Sequence, residues 1–296
     1  MTKLHISTPE NFSFKSTLYS HGWSDLPPFN LIENPLQLDY TFCISDGKCV
    51  RVTISSAAKN RILIEYNNTI SSAENHLIKN KIKHIFRLDE DYSEFYSLAK
   101  QSEAFSWIDD VGAGRMLRAA NLWEDMVKML CTTNCTWRLT QIMVENLVSK
   151  LGNVVTSTDG SLVTKTFPDA KAVAACDEKY LRDEIKMGYR APYLLEFASA
   201  VAQKEVDLHT FEDDTIPTAE LYKRIRQIKG FGDYAVSNLL KLLGRYDYLG
   251  ADSWSRKKFF EKHRNGKTCE DKKIHSYYKQ YGKWSGLFFW MDVIEH

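Results

Sequence analysis

A chain of 296 residues with 44% apolar and 26% charged side chains is long enough to bury a sizeable core and has ordinary globular composition. No run approaches the roughly 20 apolar residues of a membrane span, and the polar start MTKLHISTPE lacks a secretory apolar region, so a soluble intracellular protein without a membrane partner is expected. The formal net charge of +1 is unevenly spread: from Lys223 to Lys273 there are fourteen Lys/Arg against six Asp/Glu, a local +8 that leaves −7 for the rest.

Residues 1–88 read as a β-rich domain. PLQLDYTFCIS, CVRVTIS and RILIEYN are short runs of β-branched and aromatic residues, partly alternating, with SDGK and YNN as turn signals. From IKHIFRLDEDYSEFYSLAK onward the apolar period becomes helical, so residues 89–296 are expected to form a mainly helical domain and the fold class is α+β. Leu117 to Lys128 places Leu117, Ala120, Leu122, Met126 and Val127 on one broad face, and Met129, Leu130, Ile142, Met143, Leu147 and Leu151 continue it. A helix over Asp177–Ile185 precedes GYRAPYL, and Ala191 opens another with Pro192 in its first turn. The cysteines at 43, 49, 131, 135, 176 and 269 are scattered, without CxxC pairs; reduced thiols are expected, and no metal site built from side chains.

The stretch from Leu221 to Phe260 carries the sharpest pattern. It holds a basic helix, the turn Gly230-Phe231-Gly232, a second helix that Asp233 could cap and Gly244 could end, and Asp252. Two helices joined by such a hairpin, at about 222–244, expose backbone N–H groups at the start of the second, where the dipole also favours a phosphate. Lys229 stands beside the turn as a further phosphate contact. Gly-X-Gly between helices is also common turn chemistry, and Asp252 before SWSRKKF is equally a helix N-cap.

The run of hairpin, apolar helix, Gly244 and Asp252 resembles the helix–hairpin–helix DNA glycosylase superfamily. LWEDMVKMLCTTNCTWRLTQIMVENL, GYRAPYL and YGKWSGLFFW are most similar to its 8-oxoguanine glycosylase branch, so the resemblance covers nearly the whole chain. It implies that Asp252 is the catalytic carboxylate at the mouth of a base pocket. It further implies that Asn134 reaches the opposite strand, Tyr189 wedges the duplex and Arg190 contacts the widowed base. A Na⁺ or K⁺ ion held by hairpin backbone carbonyls is implied in the same way. The four-cysteine iron–sulfur loop of the endonuclease III branch is absent, since only Cys269 follows Asp252.

Two departures from the family refine the expectation. Bifunctional members carry a lysine nucleophile early in the second hairpin helix, where this chain has Tyr234; without that amine no Schiff base forms there. Phe289 stands where the 8-oxoguanine branch places a glutamine, and an aromatic at the lysine position resembles the alkylpurine glycosylases. Tyr234, Trp284, Phe288, Phe289 and Trp290, with Trp107 and Trp137, are candidates for an aromatic pocket that would stack on an electron-poor purine. The expectation is a monomeric, monofunctional glycosylase that acts on double-stranded DNA containing a damaged purine. The alternatives are a bifunctional 8-oxoguanine glycosylase/lyase using an unrecognised amine, and a non-catalytic structure-specific DNA-binding protein.

Overall fold

A computed structural model describes residues 2–45, 47–58, 60–68, 70–157, 160 and 162–294; Asp46 of the SDGK turn lies outside them. Five strands, β1 (Thr2–Ser7), β2 (Phe29–Glu33), β3 (Leu36–Ser45), β4 (Lys48–Ala57) and β5 (Arg61–Tyr66), form an antiparallel sheet in the order β1-β5-β4-β3-β2. Val50, Val52 and Ile54 of β4 and Ile62 and Ile64 of β5 alternate onto one fully buried face, as their period of two requires. The edge strands β1 and β2 are additions to the sequence reading. Each buries a single residue below one-tenth exposure, Ile6 and Phe29, so neither carries a strong apolar alternation.

One cysteine expectation is corrected. Cys43 and Cys49 are directly opposite in the β3–β4 register and are joined as a disulfide, because the tight turn brings their Cβ atoms together on one face. Cys131, Cys135, Cys176 and Cys269 are free thiols.

Apart from the short helical turns Phe14–Leu18 and Trp23–Asp25, helical structure begins earlier than the apolar period suggests, with α1 (Ser72–Phe86). Ser71 starts it through a capping box: Glu74 N–H donates to Ser71 Oγ at 3.3 Å, and Ser71 N–H donates to the Glu74 carboxylate at 2.8 Å. The helix expected from Leu117 starts only at Leu122, as α2 (Leu122–Thr132), capped by Asn121, which accepts the Glu124 N–H at 3.0 Å. Leu117 and Ala120 are buried, but in the irregular segment before it. α3 (Trp137–Leu151) follows a Thr136 cap, Asp177 caps the short helix Glu178–Asp183, and Pro192 lies in the first turn of α4 (Ala191–Ala202). The remaining long helices include α5 (Thr218–Arg226), α6 (Asp233–Leu242), α7 (Ser253–Arg264) and α8 (Ser285–Val293).

By compactness the chain divides into two units. The first joins Met1–Glu90 to Arg115–Asp207, and the second joins Asp91–Gly114 to Leu208–His296. In the first, the sheet is fastened to α2 by a buried polar cluster. Lys128 Nζ pairs with Glu124 at 2.7 Å, both side chains being sealed from solvent, and Tyr40 of β3 donates its hydroxyl to the same carboxylate at 2.8 Å. Lys128 also lies 4.6 Å from the Phe29 ring centroid. Trp23 Nε1 and the Ala119 N–H donate to Asp125 Oδ1 at 2.7 and 2.9 Å, and burial pushes that carboxyl up to about 6.

In the second unit, rings from separate segments pack against one another. Tyr92 and Phe95 pack with Trp284, and Phe105 and Phe95 with Phe288, at centroid distances of 4.9–5.5 Å.

Breaking the Glu124–Lys128 pair strands a charge that burial penalises. Lys128→Met is expected to cost about 3–5 kcal/mol in urea unfolding at pH 7. The double variant Glu124→Gln, Lys128→Met should recover most of that loss; equal losses in single and double variants would show that the stranded charge is not the cause.

Candidate nucleic-acid interface and carboxylate site

In the first unit, Asn134, Tyr189 and Arg190 come together around the turn between α2 and α3. Asn134 takes a left-handed backbone (φ +45°), which asparagine tolerates better than most residues, and its exposed amide donates to Tyr189 Oη at 3.3 Å. Tyr189 is 50% exposed and donates its hydroxyl to the Thr133 carbonyl at 3.3 Å. Arg190 is only 3% exposed. Its Nε donates to Thr133 Oγ1 at 3.1 Å, another guanidinium nitrogen to the Thr133 carbonyl, and its Cζ lies 4.5 Å from the Tyr189 ring centroid. Thr133 is therefore the hub of this group, and the sequence reading passed over it.

In the second unit, α5 and α6 form the hairpin. Gly230 has φ +92° and turns the chain, while Phe231 is buried beneath it and Lys229 is exposed beside it. The expected cap is corrected: Gly232, not Asp233, occupies the N-cap, and no side chain caps the helix. Asp233 lies one residue inside, where its carboxylate accepts Arg226 Nε and Tyr222 Oη, both at 2.8 Å. Those two hydrogen bonds hold it below its ordinary range, and burial together with Asp233 pushes the Tyr222 phenol up to about 12, so it remains a donor. At the other end, the Gly244 N–H donates to the Lys241 carbonyl and the Arg245 N–H to the Leu240 carbonyl, with Gly244 at φ +81° closing the helix as expected.

The basic run is partly paired within itself. Arg224 meets Glu220 at 3.0 Å, Arg226 meets Asp233, and Arg256 meets Asp271 at 2.7 Å. Lys241 is buried altogether. The exposed cations of the segment include Lys223, Lys229, Lys257, Lys267, Lys272 and Lys273.

Asp252 is the N-cap of α7 in a capping box. Its Oδ1 accepts the Ser255 N–H and Ser255 Oγ, both at 2.7 Å, and its own N–H donates to Ser255 Oγ at 2.9 Å. The carboxylate is half-buried and fixed in rotamer by these contacts. Trp254, two residues further, is 45% exposed and has its ring centroid 6.3 Å from that of Trp290; its place in the first turn after Asp252 was the available signal.

The other aromatic candidates divide by burial. Tyr234 is half-buried in the first turn of α6. Trp284 is buried and stacks on Tyr246 at 5.2 Å, and Phe289 is fully buried, edge-on to Tyr278 at 5.3 Å. Trp107 is half-buried, and Trp137 is exposed in the first unit. Among the described residues, no group of three His, Cys, Asp or Glu side chains could hold a metal ion, and no helix is long and apolar enough to cross a membrane.

No protein-family model matches the chain. Over 181 residues it is 23% identical to an N-glycosylase/DNA lyase of Saccharomyces cerevisiae, a match that takes in 60% of this chain and 47% of that protein, so it spans about half the length of that relative. Among solved structures, the apo 8-oxoguanine glycosylase/lyase of Clostridium acetobutylicum superposes with a TM-score of 0.79 at 19% identity, covering 100% of this chain and 97% of that one. The 3-methyladenine DNA glycosylase of Archaeoglobus fulgidus gives 0.80 at 17% identity, covering 98% and 97%. The chain therefore shares the fold of these two structures, an N-terminal antiparallel sheet with a largely helical remainder.

Gly230 offers a test of the hairpin. An added Cβ at positive φ costs about 1–2 kcal/mol locally, so Gly230→Ala is expected to weaken duplex DNA binding by about tenfold in fluorescence anisotropy. Gly47→Ala, at φ +72° with open space around it, should leave affinity within about twofold. Equal affinities of the two variants would remove the hairpin from the DNA footprint.

Proposed function

We propose that this protein is a monofunctional base-excision DNA glycosylase. It extrudes a damaged purine, alkylated or oxidised, from double-stranded DNA and hydrolyses its N-glycosidic bond, leaving an abasic site. The observation that carries this reading is Asp252, a half-buried carboxylate held in one rotamer beyond the second helix of a hairpin whose lysine position is taken by Tyr234.

Extrusion costs a few kcal/mol of lost stacking and pairing, least for a damaged base. Tyr189, half exposed, supplies an aromatic face for the vacated stack, and the Asn134 amide offers hydrogen bonds to the unpaired partner. The buried Arg190 takes an orienting part, because its guanidinium is engaged with Thr133 beside the Tyr189 ring. At the hairpin, the N–H groups that open α6 and the exposed Lys229 receive backbone phosphate. A monovalent cation fits the neutral oxygens there: the Ile228 and Gly232 carbonyls accept the Phe231 and Val236 N–H groups, and each carbonyl keeps a second lone pair.

As the base departs, positive charge builds on the sugar. A fixed carboxylate at Asp252 stabilises that oxocarbenium-like state and orients the attacking water, at no cost of reorganisation during the reaction. Tyr234 brings no amine to the sugar, which supports hydrolysis without strand cleavage. Its ring, with the exposed Trp254, supports an aromatic lining suited to an electron-poor purine.

Duplexes carrying a panel of oxidised and alkylated bases, treated with hot alkali after incubation, should break at one class of lesion. Asp252→Asn keeps a competent cap, so it should fold normally and release base at least about 100-fold more slowly. Undiminished release by that variant would sink the hydrolytic mechanism, and a borohydride-trapped covalent adduct with wild type would favour a lyase. Binding should also weaken linearly with salt on a log–log scale, since phosphate contacts release counterions; a flat dependence would exclude the basic segment as the footprint.

A further inference from the structure

Helix α6 is buried from Ala235 to Leu242, yet three of those eight residues are polar: Ser237, Asn238 and Lys241. Lys241 has no exposed surface, and its Nζ donates to Asn238 Oδ1 at 3.1 Å and to the Leu249 carbonyl. Asn238 Nδ2 donates to the Tyr234 carbonyl at 2.8 Å and to the Gly250 carbonyl at 3.2 Å. Two consecutive carbonyls, three and two residues before Asp252, are thus tied to one helix. Gly250 has φ +67°, and a Cβ there would lie 2.8 Å from Lys241 Nζ and 2.9 Å from Asn238 Nδ2, so the connector lies directly against both polar groups.

We propose that Lys241, with Asn238, is a positioning residue that clamps the Leu249–Gly250 turn and so fixes the Asp252 carboxylate for base excision. This rests on the glycosylase reading above. Lys241 lies seven residues, two helical turns, beyond Tyr234 and therefore on the same side of α6. A nucleophile must reach the sugar, however, and this amine is sealed and engaged with carbonyl oxygens. Burial pushes it down to about 7, with Asp252 opposing the shift, and both the charged and the neutral amine carry the N–H groups that these two hydrogen bonds need.

Lys241→Met keeps the length and removes the donor. Removing the donor leaves the buried Leu249 carbonyl and Asn238 Oδ1 short of a partner, so the variant should melt lower than wild type while staying folded at the assay temperature. Its single-turnover excision rate should fall at least about tenfold while its Kd for an uncleavable abasic-analogue duplex stays within about twofold. Lys241→Gln, which restores one donor, should recover part of the rate. A rate unchanged in Lys241→Met, or one that falls only in step with melting temperature and Kd, would overturn the clamp. Loss in Lys241→Met of a borohydride-trapped adduct made by wild type would make Lys241 a nucleophile and overturn it too. Amide hydrogen exchange separates this from failure of the glycosylase reading: without any base release by wild type, faster exchange across 250–255 in Lys241→Met still upholds the clamp, and unchanged exchange rejects it.

Discussion

A buried polar group must be hydrogen-bonded or it costs several kcal/mol, and in the second unit this constraint holds the catalytic candidate in place. The connector from Gly244 to Asp252 belongs to no helix or strand, so its backbone has no ladder to hold it. Lys241 and Asn238 lie inside the core and need acceptors, and the connector's carbonyls at Leu249 and Gly250 are those acceptors. Each side satisfies the other. Rings and close packing fix the rest of the connector: Tyr248 stacks on Tyr222 of α5 at 4.9 Å, Tyr246 stacks on Trp284, and the Gly286 N–H donates to the Tyr246 carbonyl at 2.6 Å. Position 286 leaves no alternative to glycine, because a Cβ there would lie 2.0 Å from the Tyr248 carbonyl oxygen.

Capping and the proposed function fall on the same side chains. The conformational tolerance that makes Asn134 a turn residue also leaves its amide exposed at φ +45°. Asp252 likewise starts α7 by accepting hydrogen bonds from Ser255, and those contacts remove the rotamer freedom that a charge-stabilising carboxylate must lose before the reaction. For such residues the structural and the functional reading are one geometry serving twice. Other residues divide the labour: Tyr189 presents its ring to solvent, while the buried Arg190 holds the turn behind it.

What the sequence disclosed follows from how strongly each position feels its neighbours. β4 and β5 were legible because they bury every second residue, and β3, buried on both faces from Leu38 to Phe42, because of its β-branched and aromatic run, while the edge strands β1 and β2 bury too little to show a period. α2 was begun too early because Leu117 and Ala120 are buried in an irregular segment, and burial alone does not distinguish such a segment from a helix. Asp233 was misread as a cap because its stronger partners, Arg226 and Tyr222, come from the preceding helix. The order of hairpin and carboxylate was legible because it is local. The aromatic candidates were not separable, since a buried Phe289 and an exposed Trp254 have the same composition signal and differ only in tertiary placement.

Lys241 was the least legible feature, and its chemistry follows from its surroundings rather than its identity. A lysine in an apolar helical stripe reads as a solvated edge of the helix, since an isolated buried ammonium is too costly to expect. Here the cost is reduced by the carbonyls of a connector whose fold could not be inferred from residue types. At Tyr234 the hairpin helix has a half-buried ring in its first turn; two turns later, at Lys241, it has a sealed amine that meets the Leu249 carbonyl. Chemistry that depends on a lysine reaching a substrate is governed by exposure. By that criterion the sealed amine of Lys241 serves the backbone of the connector, while the half-buried Asp252 carboxylate caps α7.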